Sequence, residues 1–151
     1  MTPEPGGPYR HPSIIPAPKP PEHRPPAFLG RLRVIQLPGG AGWALQQPLV
    51  YRSAIPGVGE IVVPAGFVTD FASVPRWPLT FLLAGDTAHA PAVVHDFLYG
   101  TRRLRRATAD LVFLEAMVVT GVPRWRRAAM WVAVRIFGWW RWWRLAHGAA
   151  D

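Results

Sequence analysis

The stretch VVHDFLYG, residues 93–100, places a histidine and an aspartate side by side in a run that is otherwise apolar. Its apolar bulk and the closing glycine predict a helix that ends near Gly100. His95 and Tyr99 are four residues apart and so share one face of that helix, while Asp96 projects about 100° further round the axis. One helix therefore presents an imidazole and a carboxylate to adjoining parts of a groove.

Two more helices are predicted after this one. A basic turn, TRRLRR at residues 101–106, leads into a second helix over about residues 107–119. A third helix opens with a proline at residue 123 and runs to about residue 146 or 147. If the first two helices form an antiparallel hairpin across the short turn, Asp110 approaches the face that carries His95.

The part of the chain before residue 70 shows the alternation of apolar and polar residues that is typical of half-buried strands. Three segments carry it, at residues 31–37, 43–52 and 60–63. Pro48 places the second strand at a sheet edge or gives it a bulge. The predicted fold class is therefore α+β, with a small antiparallel sheet followed by a three-helix segment that contains a helix hairpin.

The first 26 residues are rich in proline and have few large apolar side chains. Such a composition cannot bury enough surface to offset the entropy lost on ordering. Residues 1–26 are therefore predicted to form a disordered arm, and residues 27–151 a single α+β domain.

The charge balance of the chain is strongly basic. Seventeen basic against nine acidic residues give a formal net charge of +8, and Lys19 is the single lysine. The excess favours an anionic partner such as phosphate, nucleic acid or a membrane surface, although it can equally reflect the base composition of a genome. The sequence has no cysteine, which excludes disulfides and thiolate metal sites. It shows neither a signal peptide nor a clear transmembrane span.

Three carboxylates lie in apolar surroundings, those of Asp70, Asp96 and Asp110. A charged group there is costly unless it is paired, hydrogen-bonded or bound to a cation. Asp110 beside His95 would fix the tautomer of the imidazole, as a general base requires, and a second carboxylate nearby would bind a hard cation. The alternative, which spacing alone favours, is a structural network in which His95 and Asp110 pin the hairpin and Asp96 pairs with an arginine of the basic turn.

Three successive segments resemble the motifs of a known family. FVTDFASVPR at residues 67–76, VHDFLY at 94–99 and ADLVFLEAM at 109–117 look like those of the phage- and prophage-associated domain-of-unknown-function family 1353. The resemblance covers most of the chain from Leu32 to the end of the third helix. It brings no established activity. It implies a phage or prophage setting, a compact sheet followed by helices, and a place in the bacterial cytoplasm, at the periphery of the inner membrane or on the virion.

A second resemblance concerns mechanism. HDFLY at residues 95–99, followed by Asp110, Phe113 and Met117 on the second helix, resembles the catalytic helix pair of the small bacterial phospholipases A2. DFASVP at residues 70–75 resembles their calcium loop. This resemblance implies that His95 is the general base that activates a water and that Asp110 orients it.

The same resemblance implies calcium as the cofactor. Its ligands would be Asp70, Asp96 and the carbonyl of Phe71, and the ion would polarise the ester carbonyl and hold the oxyanion. The chain departs from those enzymes in three respects. It has no disulfides, the connection between its two helices is shorter, and phenylalanine stands where a glycine would follow Asp70, so that the side chain can obstruct backbone approach to the ion.

The third predicted helix combines arginine and tryptophan. Residues 123–145 include six arginines and six of the eight tryptophans, and no acid. This composition is typical of the membrane interface, but it can also stack nucleic-acid bases, and the middle of the helix can simply pack on the hairpin. Its end is the candidate contact surface, for an anionic membrane first, a phage or host protein second and nucleic acid third. The candidate contact residues are Trp139, Trp140, Arg141, Trp142, Trp143 and Arg144.

Two functions of different class follow from these observations. In the first, a metal-assisted hydrolase with a His–Asp site acts on an ester at a membrane surface. In the second, a non-catalytic phage accessory or assembly protein uses the polar cluster as structure and the tryptophan-rich end as its interface.

Overall fold

Two antiparallel sheets precede three helices in the computed structural model, which describes residues 24–40, 42–69 and 87–147, with the backbone alone at 137, 140, 141 and 143–147. The strands are β1 (Ala27–Phe28), β2 (Val34–Gln36), β3 (Trp43–Leu45), β4 (Leu49–Arg52), β5 (Glu60–Val63) and β6 (Val68–Thr69). The helices are α1 (His89–Thr101), α2 (Arg106–Val119) and α3 (Arg124–His147). The predicted α+β fold is confirmed. Most of the predicted arm lies outside the described residues, so the division into arm and domain stays a prediction.

The strands form two three-stranded sheets, ordered β1-β4-β5 and β2-β3-β6, where the sequence predicted one. The difference arises in the segment 43–52, which the alternation predicts as a single strand. Its first part, β3, pairs with β2 and β6, and its second part, β4, pairs with β1 and β5. Pro48 lies between the two parts and has no N–H for a continuous ladder, so the chain leaves one sheet and enters the other there.

The core forms between the β1-β4-β5 sheet and the helix hairpin. Leu49 and Tyr51 on β4 lie opposite Val63 and Ile61 on β5, and all four side chains are buried. The strand alternation turns these residues to one face, where burial of apolar surface stabilises the fold. The helical residues that complete this cluster are Val93, Val94, Phe97, Leu98, Tyr99, Ala109, Val112 and Ala116.

The hairpin of α1 and α2 closes through residues 102–105. Arg102 takes the left-handed backbone conformation, with φ 52°, and its N–H bonds the carbonyl of Leu98. A second turn joins α2 to α3, and there Gly121 supplies a φ of 74° that a bulkier residue would rarely adopt. The α3 helix packs on α2 through a separate apolar cluster that includes Met117 and Met130. No helix in these parts of the chain combines the length and apolarity needed to cross a bilayer.

Candidate functional site

The helix hairpin encloses a polar cluster centred on the carboxylate of Asp110, which is fully buried. His95 Nε2 lies 3.1 Å from Asp110 Oδ1, and the hydroxyl of Tyr99 donates to the same oxygen at 2.6 Å. Arg135 on α3 donates from Nη1 to the second oxygen at 3.4 Å. His95 and Tyr99 reach one acceptor because they stand one turn apart on α1. The structure therefore places Asp110 against the His95 face, as the predicted hairpin requires.

The electrostatics of this cluster keep Asp110 ionised. Burial raises the pKa of Asp110, but the hydrogen bonds with His95 and Tyr99 and the positive charges of a protonated His95 and of Arg106 outweigh burial, so the pKa lies below its ordinary value of 3.8. Burial and the neighbouring carboxylate raise the pKa of Tyr99, which therefore remains a hydrogen-bond donor. An ionised carboxylate only accepts hydrogen bonds, so we assign the proton of a neutral His95 to Nε2.

This assignment leaves Nδ1 of His95 with a lone pair. Within the described residues, His95 makes its one side-chain hydrogen bond through Nε2. The ring lies 4.2 Å from the ring of Tyr99 and 4.7 Å from that of Phe113, measured between centroids. These contacts restrict rotation of the imidazole, and only 8% of the residue is exposed. The packing thus fixes the orientation of the ring, and the contact with Asp110 favours the tautomer with its proton on Nε2, which a proton acceptor at Nδ1 requires.

Tyr99 is held in place by α3. The Trp142 ring packs edge-on against the Tyr99 ring, with centroids 5.2 Å apart. Gly138 lies next to the Tyr99 ring, and an added Cβ there would lie 2.7 Å from the Tyr99 hydroxyl oxygen. The missing side chain at Gly138 therefore allows Tyr99 to keep its position beside Asp110.

Asp96 meets a different part of the molecule. The hydroxyl of Thr69, at the end of β6, donates to Asp96 Oδ2 at 2.7 Å. Within the ranges that the structure describes, no three histidine, aspartate or glutamate side chains are grouped to hold a metal ion. The other two predicted calcium ligands, Asp70 and the carbonyl of Phe71, lie outside those ranges. The described chain thus supplies one carboxylate to the predicted calcium site, and the site stays a prediction.

A second acid network was not anticipated from the sequence. Glu115 Oε2 accepts hydrogen bonds from the hydroxyls of Tyr51, at 2.8 Å, and Ser53, at 2.7 Å. Its Oε1 accepts from the backbone N–H of Ala54 at 3.0 Å. Burial and the carboxylate raise the pKa of Tyr51, so this hydroxyl also remains a donor. Glu115 ties α2 to β4, and the one signal in the sequence was that Glu115 is, with Asp110, one of two acids in the otherwise apolar segment 109–117.

The six predicted contact residues of α3 fall into three groups. Trp139 is 60% exposed. Trp142 packs inward on Tyr99, and Arg102 lies over its ring, 5.2 Å from the centroid, and donates to its backbone carbonyl. The remaining four lie on the helix but their side chains are outside the described part: Trp140, Arg141, Trp143 and Arg144.

The fold and the cluster together define an α+β domain with a buried His–Asp–Tyr network on a helix hairpin. The chain belongs to the family described as "Protein of unknown function (DUF1353)", whose sequence profile matches residues 43–134. The matched range begins at β3 and includes the hairpin with His95, Tyr99 and Asp110. No curated protein and no solved structure matches the chain. The resemblance to this family is confirmed, whereas the phage setting and the phospholipase-like mechanism stay proposals.

Proposed function

We propose that the chain is an ester hydrolase in which His95 is the general base and Asp110 holds it in place. The observation that carries the proposal is the contact of His95 Nε2 with a buried, ionised Asp110 that also accepts a hydrogen bond from Tyr99. This arrangement favours catalysis because it fixes the imidazole with Nδ1 as its proton acceptor.

The proposed reaction uses a water molecule as the nucleophile. Nδ1 of His95 takes one proton from the water while the water oxygen bonds to the ester carbonyl carbon. Asp110 stabilises the resulting imidazolium, and Tyr99 keeps the carboxylate oriented. When the tetrahedral intermediate collapses, the bond to the alkoxy oxygen breaks and the imidazolium gives its proton to that oxygen. The products are a carboxylic acid and an alcohol.

Calcium is the cofactor that we propose for this site. Asp96, Asp70 and the carbonyl of Phe71 would hold it, and such hard oxygen donors suit the ion. Held there, calcium would supply a Lewis acid that polarises the ester carbonyl. Calorimetry on the purified chain tests the binding. We expect a saturable heat with wild type that is lost in Asp96→Asn, and the absence of heat with wild type would exclude this part of the proposal.

Hydrolysis of a soluble p-nitrophenyl ester tests the role of His95. His95→Gln retains an amide donor close to the position of Nε2 but has no base at the position of Nδ1. We expect kcat/KM to fall by about 10²- to 10⁴-fold in this variant, while the urea midpoint of unfolding stays near that of wild type. His95→Ala loses the donor as well, so it should lose both activity and stability.

Two results would contradict the proposal. Equal rates for wild type and His95→Gln would show that His95 is not the base. An absence of hydrolysis by wild type, with and without added calcium, on both soluble esters and phospholipid vesicles would exclude the enzyme.

The second candidate function is a non-catalytic accessory or assembly protein of a phage or prophage. The full pairing of the Asp110 carboxylate favours it, because both oxygens already accept hydrogen bonds within the described chain. These hydrogen bonds are sufficient for a purely structural role of the cluster. In that case His95→Gln would match wild type in every activity, and His95→Ala would lower the free energy of unfolding by about 1–3 kcal/mol.

The proposed place of action is an anionic membrane surface. The arginine- and tryptophan-rich end of α3, residues 139–144, is the contact that the sequence suggests, with a phage or host protein as the second partner. For the bacterial setting we propose the cytoplasm, at the periphery of the inner membrane, or the virion.

A further inference from the structure

Large apolar side chains lie on the solvent-facing side of α3, where an ordinary surface helix carries mainly polar residues. Among the α3 side chains that the structure describes, four large apolar ones are exposed, and we call them the α3 stripe: Trp125, Val132, Ile136 and Trp139. Their spacing of seven, four and three residues places them on one face of the helix. The opposite face carries Met130, Ala133 and Val134, which are buried against the rest of the domain. Several large apolar side chains exposed along one face of a helix indicate a site of interaction.

The charge around the α3 stripe has one sign. Residues 97–147 contain ten arginines and two acids, and both acids, Asp110 and Glu115, are engaged in the internal networks described above. Arg124 and Arg135 are exposed and lie along one edge of the stripe, about 40° to 120° round the helix from its members.

The basic turn adds further positive charge beside α3. Arg102 donates to the backbone carbonyl of Trp142, and Arg106 donates to that of Arg135. Arg103 and Arg105, between them in sequence, are exposed. The α3 stripe therefore runs beside a basic margin, which complements an anionic surface.

We infer that the α3 stripe lies on the surface of an anionic lipid bilayer. Aliphatic side chains at Val132 and Ile136 fit the acyl boundary, and tryptophan at each end fits the headgroup level. Trp139 follows Trp125 by 14 residues, which is about 21 Å along the helix. The flanking arginines meet lipid phosphates.

Two other occupants fit the stripe less well. Single-stranded nucleic acid stacks its bases on aromatic rings along a cationic groove, but the centre of this stripe is aliphatic and its cations lie at the edge. A second copy of the chain would bring two arginine-rich helices together with no acid on either, since α3 has none to pair with them.

The inference deepens the membrane part of the proposed function. It rests on that function to explain why the chain binds lipid. Arg135 connects the surface to the site, because its guanidinium lies at the stripe edge and donates to Asp110 Oδ2. An ester in a bilayer bound by the stripe would thus lie close to the His95 cluster. The inference also revises the contact residues, since it includes Trp125, Val132 and Ile136 and leaves out Trp142, which packs on Tyr99.

Sedimentation with lipid vesicles tests the inference with two matched variants of the full chain. Val132→Glu places a charge in the stripe, and Val62→Glu makes the same substitution on β5; the two valines are 48% and 47% exposed. The vesicles are phosphatidylcholine alone or with about one quarter phosphatidylglycerol. We expect wild type and Val62→Glu to bind the anionic vesicles alike, and Val132→Glu to bind at least about tenfold more weakly. Binding of wild type should also fall at high ionic strength.

Several outcomes would overturn the inference. Equal binding by Val132→Glu and Val62→Glu would remove the stripe from the contact. If wild type is a dimer and Val132→Glu is a monomer, the stripe binds a second copy of the chain. If a single-stranded oligonucleotide binds wild type, loses binding in Val132→Glu, and anionic vesicles do not bind, the stripe is a nucleic-acid surface. His95→Gln separates the two proposals, because it should bind vesicles like wild type while losing hydrolysis of a soluble ester.

Discussion

Asp110 and Glu115 lie five residues apart on α2, and each carboxylate accepts three hydrogen bonds within the described chain, from different parts of the fold. The donors to Asp110 are His95, Tyr99 and Arg135, and the donors to Glu115 are Tyr51, Ser53 and the backbone of Ala54. One acid thus joins helix to helix and touches an imidazole, whereas the other joins helix to strand and touches none. Glu115 is therefore an internal control for every test of Asp110.

Acid should weaken the folded state in part through Asp110. Its pKa in the folded chain lies below the ordinary value of 3.8, so the stability that it contributes is complete above that value. This contribution is lost as the pH falls through the lower, folded pKa. Urea midpoints measured from about pH 5 to about pH 2 should fall more steeply for wild type than for Asp110→Asn. Parallel curves would show that the carboxylate is not selectively stabilised in its ionised form.

A methyl group at Gly138 should disturb the Tyr99–Asp110 contact. The added Cβ would lie 2.7 Å from the Tyr99 hydroxyl oxygen, so the ring or the helix must shift. We expect Gly138→Ala to lower the free energy of unfolding by about 1–3 kcal/mol, although alanine favours a helix. If the His95–Asp110 pair is catalytic, hydrolysis should fall as well, because Tyr99 no longer orients Asp110.

Gly100 provides the matched control for Gly138. It also lies in a helix, and an added Cβ there would meet nothing within 4 Å. Gly100→Ala should therefore be neutral, or stabilise the fold by up to about 1 kcal/mol. A Gly138→Ala variant as stable as Gly100→Ala would mean that α3 does not hold Tyr99 in this way.

The two buried tyrosines should resist ionisation at alkaline pH. Burial, followed by the bond to Glu115 for Tyr51 and to Asp110 for Tyr99, raises both pKa values above 10.0. Their contribution to stability is therefore complete below pH 10.0 and is lost as the pH rises through the folded values. In a titration followed by the ultraviolet absorbance of tyrosinate, these two should ionise only when the chain unfolds. Ionisation of either one near pH 10.0 in the folded chain would contradict the hydrogen bonds.

The local rules of helix and hairpin formation predicted much of this structure. Period and turn residues predicted three helices in order, and a four-residue spacing predicted the shared face of His95 and Tyr99. Because a short turn forces neighbouring helices together, the approach of Asp110 also followed from the sequence. These features depend on residues that are close together along the chain.

Contacts between distant segments escaped prediction. The partners of Glu115 lie 64 and 62 residues earlier, at Tyr51 and Ser53, and no periodicity in either segment points to the other. The division of residues 43–52 between two sheets also depends on tertiary pairing. In the sequence itself, Pro48 indicates where the division falls. Trp142 was predicted as a contact residue from composition, and its packing on Tyr99 depends on how α3 lies against the hairpin.

Hydrolysis of a soluble ester by Asp110→Asn and Glu115→Gln, each expressed per folded molecule, tests whether the His95–Asp110 pair is catalytic. Both variants should lose about 1–3 kcal/mol of unfolding free energy, because each weakens a buried network. If the pair is catalytic, kcat/KM of Asp110→Asn should fall by at least about 10²-fold, while that of Glu115→Gln stays within about twofold of wild type. Equal activities for the two variants would contradict catalysis by the pair and leave Asp110, like Glu115, as a structural pin.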